Sequence, residues 1–135
     1  MKPSLAPGAA HKRSLIVDRA RTIGFMGDDL RVYATPWMIR DIEFTCRELL
    51  MEHSEAGEDS VGTRVEIDHL APALVGSEVE ISVAVTEVKG RSVTFDVSVR
   101  DAIEDIGRGR HGRFIVDVAK TAARLEAKAA KMKPL

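Results

Sequence analysis

Three side chains in this sequence could cooperate on a carbonyl group: the Thr35 hydroxyl, the Glu43 carboxylate and the His69 imidazole. Together they are the parts of an acyl-transfer or hydrolysis site. Each also has a plain structural role. Thr35 can cap a helix. Glu43 can form an i,i+4 ion pair with Arg47, with Arg40 one turn before it. His69 can be a hydrogen-bonded core histidine, although it is also the side chain best suited to move a proton near neutral pH. Which roles are realised depends on the elements that carry these residues.

Thr35-Pro36 is a good helix start, because proline's missing N–H would be unbonded at the first helical position anyway. Ile39, Ile42, Cys46, Leu49 and Leu50 follow at spacings of three and four and form one apolar stripe. The helix should end near His53, before the polar loop of Ser54 to Asp59. At 100° per residue, Glu43 lies roughly 60–80° from the centre of the stripe, on the flank of the buried face. A hydroxyl at the helix start sits where free amides and the helix dipole favour developing negative charge.

The rest of the chain has period two. Ser14 to Met26 is predicted as a first strand with its exit, ending at Gly27-Asp28-Asp29. Val65, Ile67 and His69 alternate with polar residues, as do Val79, Ile81, Val83 and Val85, then Val93, Phe95, Val97 and Val99. Phe114, Val116 and Val118 are predicted as the apolar side of a last strand. Such alternation marks an antiparallel sheet covered on one face. Lys89-Gly90-Arg91 reads as a tight hairpin; Ala71-Pro72-Ala73 and Ile106-Gly107 to Gly109 read as two breaks. The order is strand, long helix, four strands (βαββββ), an α+β chain in which a curled sheet must wrap the helix.

This layout puts His69 on the inner face with Val65 and Ile67, while His11, His53 and His111 have no comparable setting. Gly62 precedes that strand, either as a turn glycine or as a place where backbone approaches a ligand with its N–H aimed at an oxyanion. Arg113 begins the last strand beside Arg108, Arg110 and His111. It is either part of a solvated basic turn or a grip on a carboxylate or coenzyme phosphates.

Size and charge exclude several alternatives. At 135 residues the chain is predicted to be one domain, and its net charge of −1 favours neither nucleic acid nor an anionic membrane. Cys46 is the only cysteine, so no intrachain disulfide forms, which fits a reducing cytoplasm. There is no membrane-spanning apolar run, no signal-peptide h-region and no convincing metal-ligand spacing, so neither metal nor cofactor is expected. Residues 1–13 are predicted as a loose arm, 14–120 as the folded domain, and 121–135 as an Ala/Lys-rich, solvated helical tail.

Several of these features occur together in one known family. Val32-Tyr33-Ala34-Thr35-Pro36 followed by Glu43, Val61-Gly62-Thr63 followed by His69-Leu70-Ala71, Val75-Gly76, and Asp101 through Ile106-Gly107 to His111 and Arg113 stand in order and at family spacing. On these motifs the chain resembles the fluoroacetyl-CoA thioesterase-like family of hotdog-fold proteins, over about Ser14 to Lys120. The resemblance implies a hotdog fold, with an antiparallel sheet around one long helix. It also implies a homodimer, itself able to pair further, with active sites at the subunit interface and acyl-CoA as substrate. Thr35, Glu43 and His69 correspond to the catalytic set, Gly62 to the glycine that helps hold the acyl-CoA, and Arg113 to an arginine that contacts substrate. Glu43 would act as nucleophile or as base for a water.

Two departures limit this. Arg40 and Asp41 occupy helix positions that are usually small or apolar in the family, and the connection from the first strand to Thr35 is short and carries Gly27 to Arg31. The thioesterase reaction is therefore implied, but not the fluoroacetyl group. A non-catalytic hotdog that binds acyl-CoA is the competing reading, since fold alone does not fix function. Keeping Thr35, Glu43 and His69 together favours the enzyme. A hydratase is disfavoured because neighbouring Asp68 and His69 point to opposite faces of a strand.

Overall fold

The computed structural model describes residues 1–134; Leu135, the last residue of the tail, lies outside the described residues. In chain order the elements are β1 (Ala10–Ile16), β2 (Thr22–Ile23), β3 (Val32–Tyr33), α1 (Thr35–Glu52), β4 (Glu58–His69), β5 (Glu78–Lys89), β6 (Ser92–Arg100), β7 (Asp105–Asp117) and α2 (Val118–Ala130). Five strands form one antiparallel sheet in the order β1-β5-β6-β7-β4, and β2 and β3 make a small separate pair. The edge strands β1 and β4 both pack on α1. In a flat sheet they would stand about 19 Å apart, so the sheet curls around the helix.

The core fills that curl. Val79, Ile81, Val83 and Val85 of β5 and Val93, Phe95, Val97 and Val99 of β6 are all buried, as their alternation predicts. Met38, Ile42, Cys46, Leu49 and Leu50 of α1 meet them. The buried stripe of α1 is turned slightly from the predicted one, taking in Asp41 and Thr45 and leaving Ile39 half-buried. Gly90, at φ 61°, makes the tight β5–β6 turn, a conformation that favours glycine.

The structure differs from the sequence expectation in several places. β4 begins at Glu58, so Gly62 lies inside that strand and does not precede it. The first strand begins at Ala10, within the segment expected to be a loose arm, and the segment before it is docked. Leu5 is buried, Lys2 N donates to His53 O at 2.7 Å, and Ser4 Oγ is 2.7 Å from His53 Nδ1. Ile106 to Gly109 lie inside β7 and are not a break; a Cβ on Gly107 would come within 2.9 Å of Met38 Sδ, so the glycine permits close helix packing. The turn sits earlier, where the Asp101 carboxylate accepts from Ile103 N and Glu104 N. On β7 the inward residues are His111, Arg113 and Ile115, with Phe114 on the outer face.

Candidate active site

The helix start leaves Thr35 free to do something other than cap. Ala34 holds the cap position in extended conformation, and its carbonyl accepts from Met38 N at 3.0 Å. Thr35 is the first helical residue, and its Oγ1 lies 2.7 Å from His69 Nδ1 at the end of β4. The other ring nitrogen of His69, Nε2, is buried and has no hydrogen-bond partner among the described residues. Such an orphan is the position from which an imidazole can take or give a proton. Burial holds the imidazole below its ordinary value of 6.5, with the Ala71 backbone partly opposing, so His69 is neutral at pH 7.

A local irregularity sets which residues of β4 face the helix. The β4–β7 register slips at Thr63: Gly62 pairs with Arg113, Arg64 with Gly112 and Val65 with His111. Such a bulge re-aims the side chains beyond it. Ser60 and Gly62 before the bulge share the inner face with Val65, Ile67 and His69 after it. Without the extra residue, Gly62 and His69 would point to opposite sides.

Glu43 meets the other end of this face. Its carboxylate packs against Gly62, where a Cβ would stand 2.9 Å from Glu43 Oε1 and 3.3 Å from His111 Cε1. Its Oε2 lies 3.9 Å from Arg113 Nη1. The surface pair with Arg47 does not form, because Arg47 is bound bidentately to Asp59 at 2.9 and 2.7 Å. Arg40 instead stacks between Trp37 and Phe44, 4.9 and 4.5 Å from their ring centres.

Arg113 lies beneath the surface, 5% exposed. It is not part of a solvated turn. Its Nε donates to Ser60 Oγ at 2.8 Å, Nη2 to Ser60 O at 2.9 Å and Nη1 to His111 Nε2 at 3.2 Å. Burial works against its charge, and Glu43 is the strongest influence restoring it. His111, to which the sequence reading gave no setting comparable to that of His69, is fully buried here, and its Nδ1 lies 2.7 Å from Arg64 O. Ser60 and His111 thus join the candidate site, and the sequence did not single them out.

The structure joins the proposed residues into two groups within one chain. Thr35 and His69 form one; Glu43, Gly62 and Arg113 form the other. Glu43 is eight residue steps beyond Thr35 on the helix, about 12 Å along the axis. Beside the first group, Asp41 is buried in a salt bridge with Arg21 (2.9 and 3.1 Å), accepts a short hydrogen bond from Tyr33 Oη, and its backbone carbonyl accepts from Thr45 Oγ1 at 2.8 Å. This accounts for a charged residue at an apolar position: all its partners are present, and they fasten the segment leading into Thr35. Among the described residues no group of three His, Cys, Asp or Glu could hold a metal ion.

Comparison with known proteins agrees with this architecture. The model of the fluoroacetyl-CoA-specific thioesterase family matches residues 17–119. A fluoroacetyl-CoA thioesterase of Streptantibioticus cattleyicolor is 31% identical over 97 residues, 72% of this chain and 70% of that protein. A solved Thermus thermophilus hypothetical protein, described as a thioesterase superfamily member, is 30% identical with a TM-score of 0.86, covering 98% of this chain and 100% of that one. A solved fluoroacetyl-CoA thioesterase is 25% identical with a TM-score of 0.83, covering 92% of this chain and 97% of that one. The helix wrapped by an antiparallel sheet is the hotdog fold.

Proposed function

The chain belongs to the fluoroacetyl-CoA-specific thioesterase family, and from that premise we propose that it hydrolyses a small acyl-CoA thioester to the free acid and coenzyme A. The observation that carries this reading is the Thr35–His69 hydrogen bond at the α1 start, with His69 Nε2 left free for a proton. The thioester carbonyl would lie over the first turn of α1, where the Thr35 hydroxyl and the helix amides favour negative charge on its oxygen. Glu43 would drive the attack on the carbonyl carbon, through a water it deprotonates or with its own oxygen. The C–S bond then breaks, coenzyme A leaves as thiolate and takes a proton relayed by His69, and water supplies the second oxygen of the acid. Gly62 leaves room for Glu43 and for substrate, and Arg113 holds the carboxylate in place.

Two copies are needed for this chemistry, because one chain keeps Thr35–His69 and Glu43 apart. Among the described residues, β4 pairs only with β7, so its outer edge is bare, and Val61 and Val65 on it are exposed. Antiparallel pairing of two β4 edges about a two-fold axis between Val65 and Glu66 would set Gly62 of one copy opposite His69 of the other. Glu43 of one protomer would then complete the Thr35–His69 site of its partner. This supports a homodimer with two shared sites. Cys46, a buried free thiol, and an acyl-CoA substrate support a cytoplasmic location. No described helix is long and apolar enough to cross a membrane.

Thiol release from short, branched, aromatic and dicarboxylic acyl-CoAs tests the reading. Wild type should turn over at least one, and Glu43→Ala and His69→Ala should each lose that turnover. Binding without turnover across the panel would favour a non-catalytic acyl-CoA-binding protein. Turnover surviving both substitutions would contradict the assigned site.

A further inference from the structure

The guanidinium of Arg113 is the one cation within 4 Å of Glu43 among the described residues, and it is held from behind by a histidine that the proposed reaction does not use. Hydrogen-bond chemistry fixes the state of that histidine. The Arg64 carbonyl can only accept, so the 2.7 Å contact places a proton on His111 Nδ1. Nε2 then carries a lone pair, and Arg113 Nη1 donates to it at 3.2 Å. Ser60 takes two further donors of the same guanidinium, through Oγ and O. The β4 bulge puts the Arg64 carbonyl in reach of His111, and Gly62 leaves the space that Glu43 Oε1 enters.

We propose that His111 is a positioning residue for the reaction: held as its Nδ1–H tautomer by the Arg64 carbonyl, it anchors Arg113, which sets the place of Glu43. This rests on the reading of Glu43 as catalytic. Protonating His111 would place an N–H on Nε2 against the N–H of Arg113, donor against donor and cation against cation. Arg113 would then be driven from its seat and from Glu43. The charged and titratable groups around the pair are few. Glu43, Cys46 and Arg47 face it from α1, and Asp59 faces it from β4. Arg47 and Asp59 neutralise each other, and burial keeps the Cys46 thiol protonated, its pKa pushed up to about 12. Phe95 of β6 stacks on the imidazole at 6.4 Å between ring centres and carries no charge. Burial favours neutral His111, and Arg113 adds to this, while the Arg64 carbonyl and Glu43 oppose it.

The test uses the full chain and two variants. His111→Phe keeps a ring but offers Arg113 no acceptor; His111→Gln restores an acceptor that does not titrate. On the best acyl-CoA of the panel, His111→Phe should lower kcat about 10- to 100-fold at little change in KM, the scale of a misplaced catalytic group. His111→Gln should recover most of that loss and remove one ionisation from the acid side of the pH profile. In a Glu43→Gln background, His111→Phe should cost nothing further, because the two act on one step. Ring-nitrogen NMR shifts give a readout independent of turnover, and they stand even where His111→Phe does not fold. At neutral pH, Nδ1 of His111 should be protonated and Nε2 bare, and Glu43→Gln should lower the titration midpoint of His111. A protonated Nε2 at neutral pH, an unchanged kcat in a folded His111→Phe, or independent multiplication of the two losses would overturn the proposal. Full turnover by Glu43→Gln would remove the catalytic reading and this proposal with it. Loss in Glu43→Gln beside an unchanged His111→Phe would remove the proposal alone.

Discussion

Two histidines line the candidate site, His69 at the end of β4 and His111 on β7 opposite Val65, and burial favours the neutral form of both. In the proposed reaction His69 needs its neutral form to accept a proton, and His111 needs it to accept from Arg113. Burial lowers both below the ordinary 6.5, so the titration midpoint of each lies on the acid side of it. Measured from pH 5 to 9, kcat/KM should be flat through neutrality and fall below pH 6.5, approaching a limiting slope of about two. His111→Gln should reduce that slope to about one; an acid limb centred above 6.5 would contradict the burial of both rings. The types and order of Thr35, Glu43 and His69 were legible in the sequence. The role of His111 was not, because it sits beside Arg108 and Arg110 and looks like part of a solvated run. Its inward position follows only when the buried Ile115 is used to fix the parity of β7.

Some elements announced themselves and others were concealed by their partners. Pro36 marks the α1 start and Gly90 the β5–β6 turn, each for a backbone reason that needs no tertiary context. β1 was misplaced because its inward residues include His11 and Arg13, which meet Glu48 of α1 at 2.9 and 3.3 Å where apolar contacts would be expected. A strand whose buried side is ionic leaves no period-two apolar signal. The β4 bulge is also silent, since nothing in Val61-Gly62-Thr63-Arg64 counts an extra residue until β7 is laid beside it. The bulge keeps Gly62 on the face that meets Glu43. Gly62→Ala has no left-handed backbone to strain, and its methyl meets the end of a flexible side chain. Stability measured by urea unfolding should change by about 1 kcal/mol or less. In the same protein, turnover should fall at least about tenfold as Glu43 is pushed aside. A variant that unfolds early yet keeps full turnover would show that Gly62 serves the fold and not the site.

At the scale of the whole molecule, the curled sheet gives α1 a buried side and leaves one flank, with the β4 edge beside it, uncovered. On that flank Thr35 and Glu43 stand about 12 Å apart along the helix axis within one chain, and in the proposed dimer a two-fold partner would close the distance for both copies at once. The most direct test mixes two inactive variants. Glu43→Ala and His69→Ala protomers are co-expressed with different tags, the mixed dimer is isolated, and thiol release from the best acyl-CoA is measured. One of its two shared sites would keep both residues, so mixed dimers should recover about half the wild-type rate per dimer while each parent stays inactive. Mixed dimers that form and remain inactive would contradict a site shared between two copies.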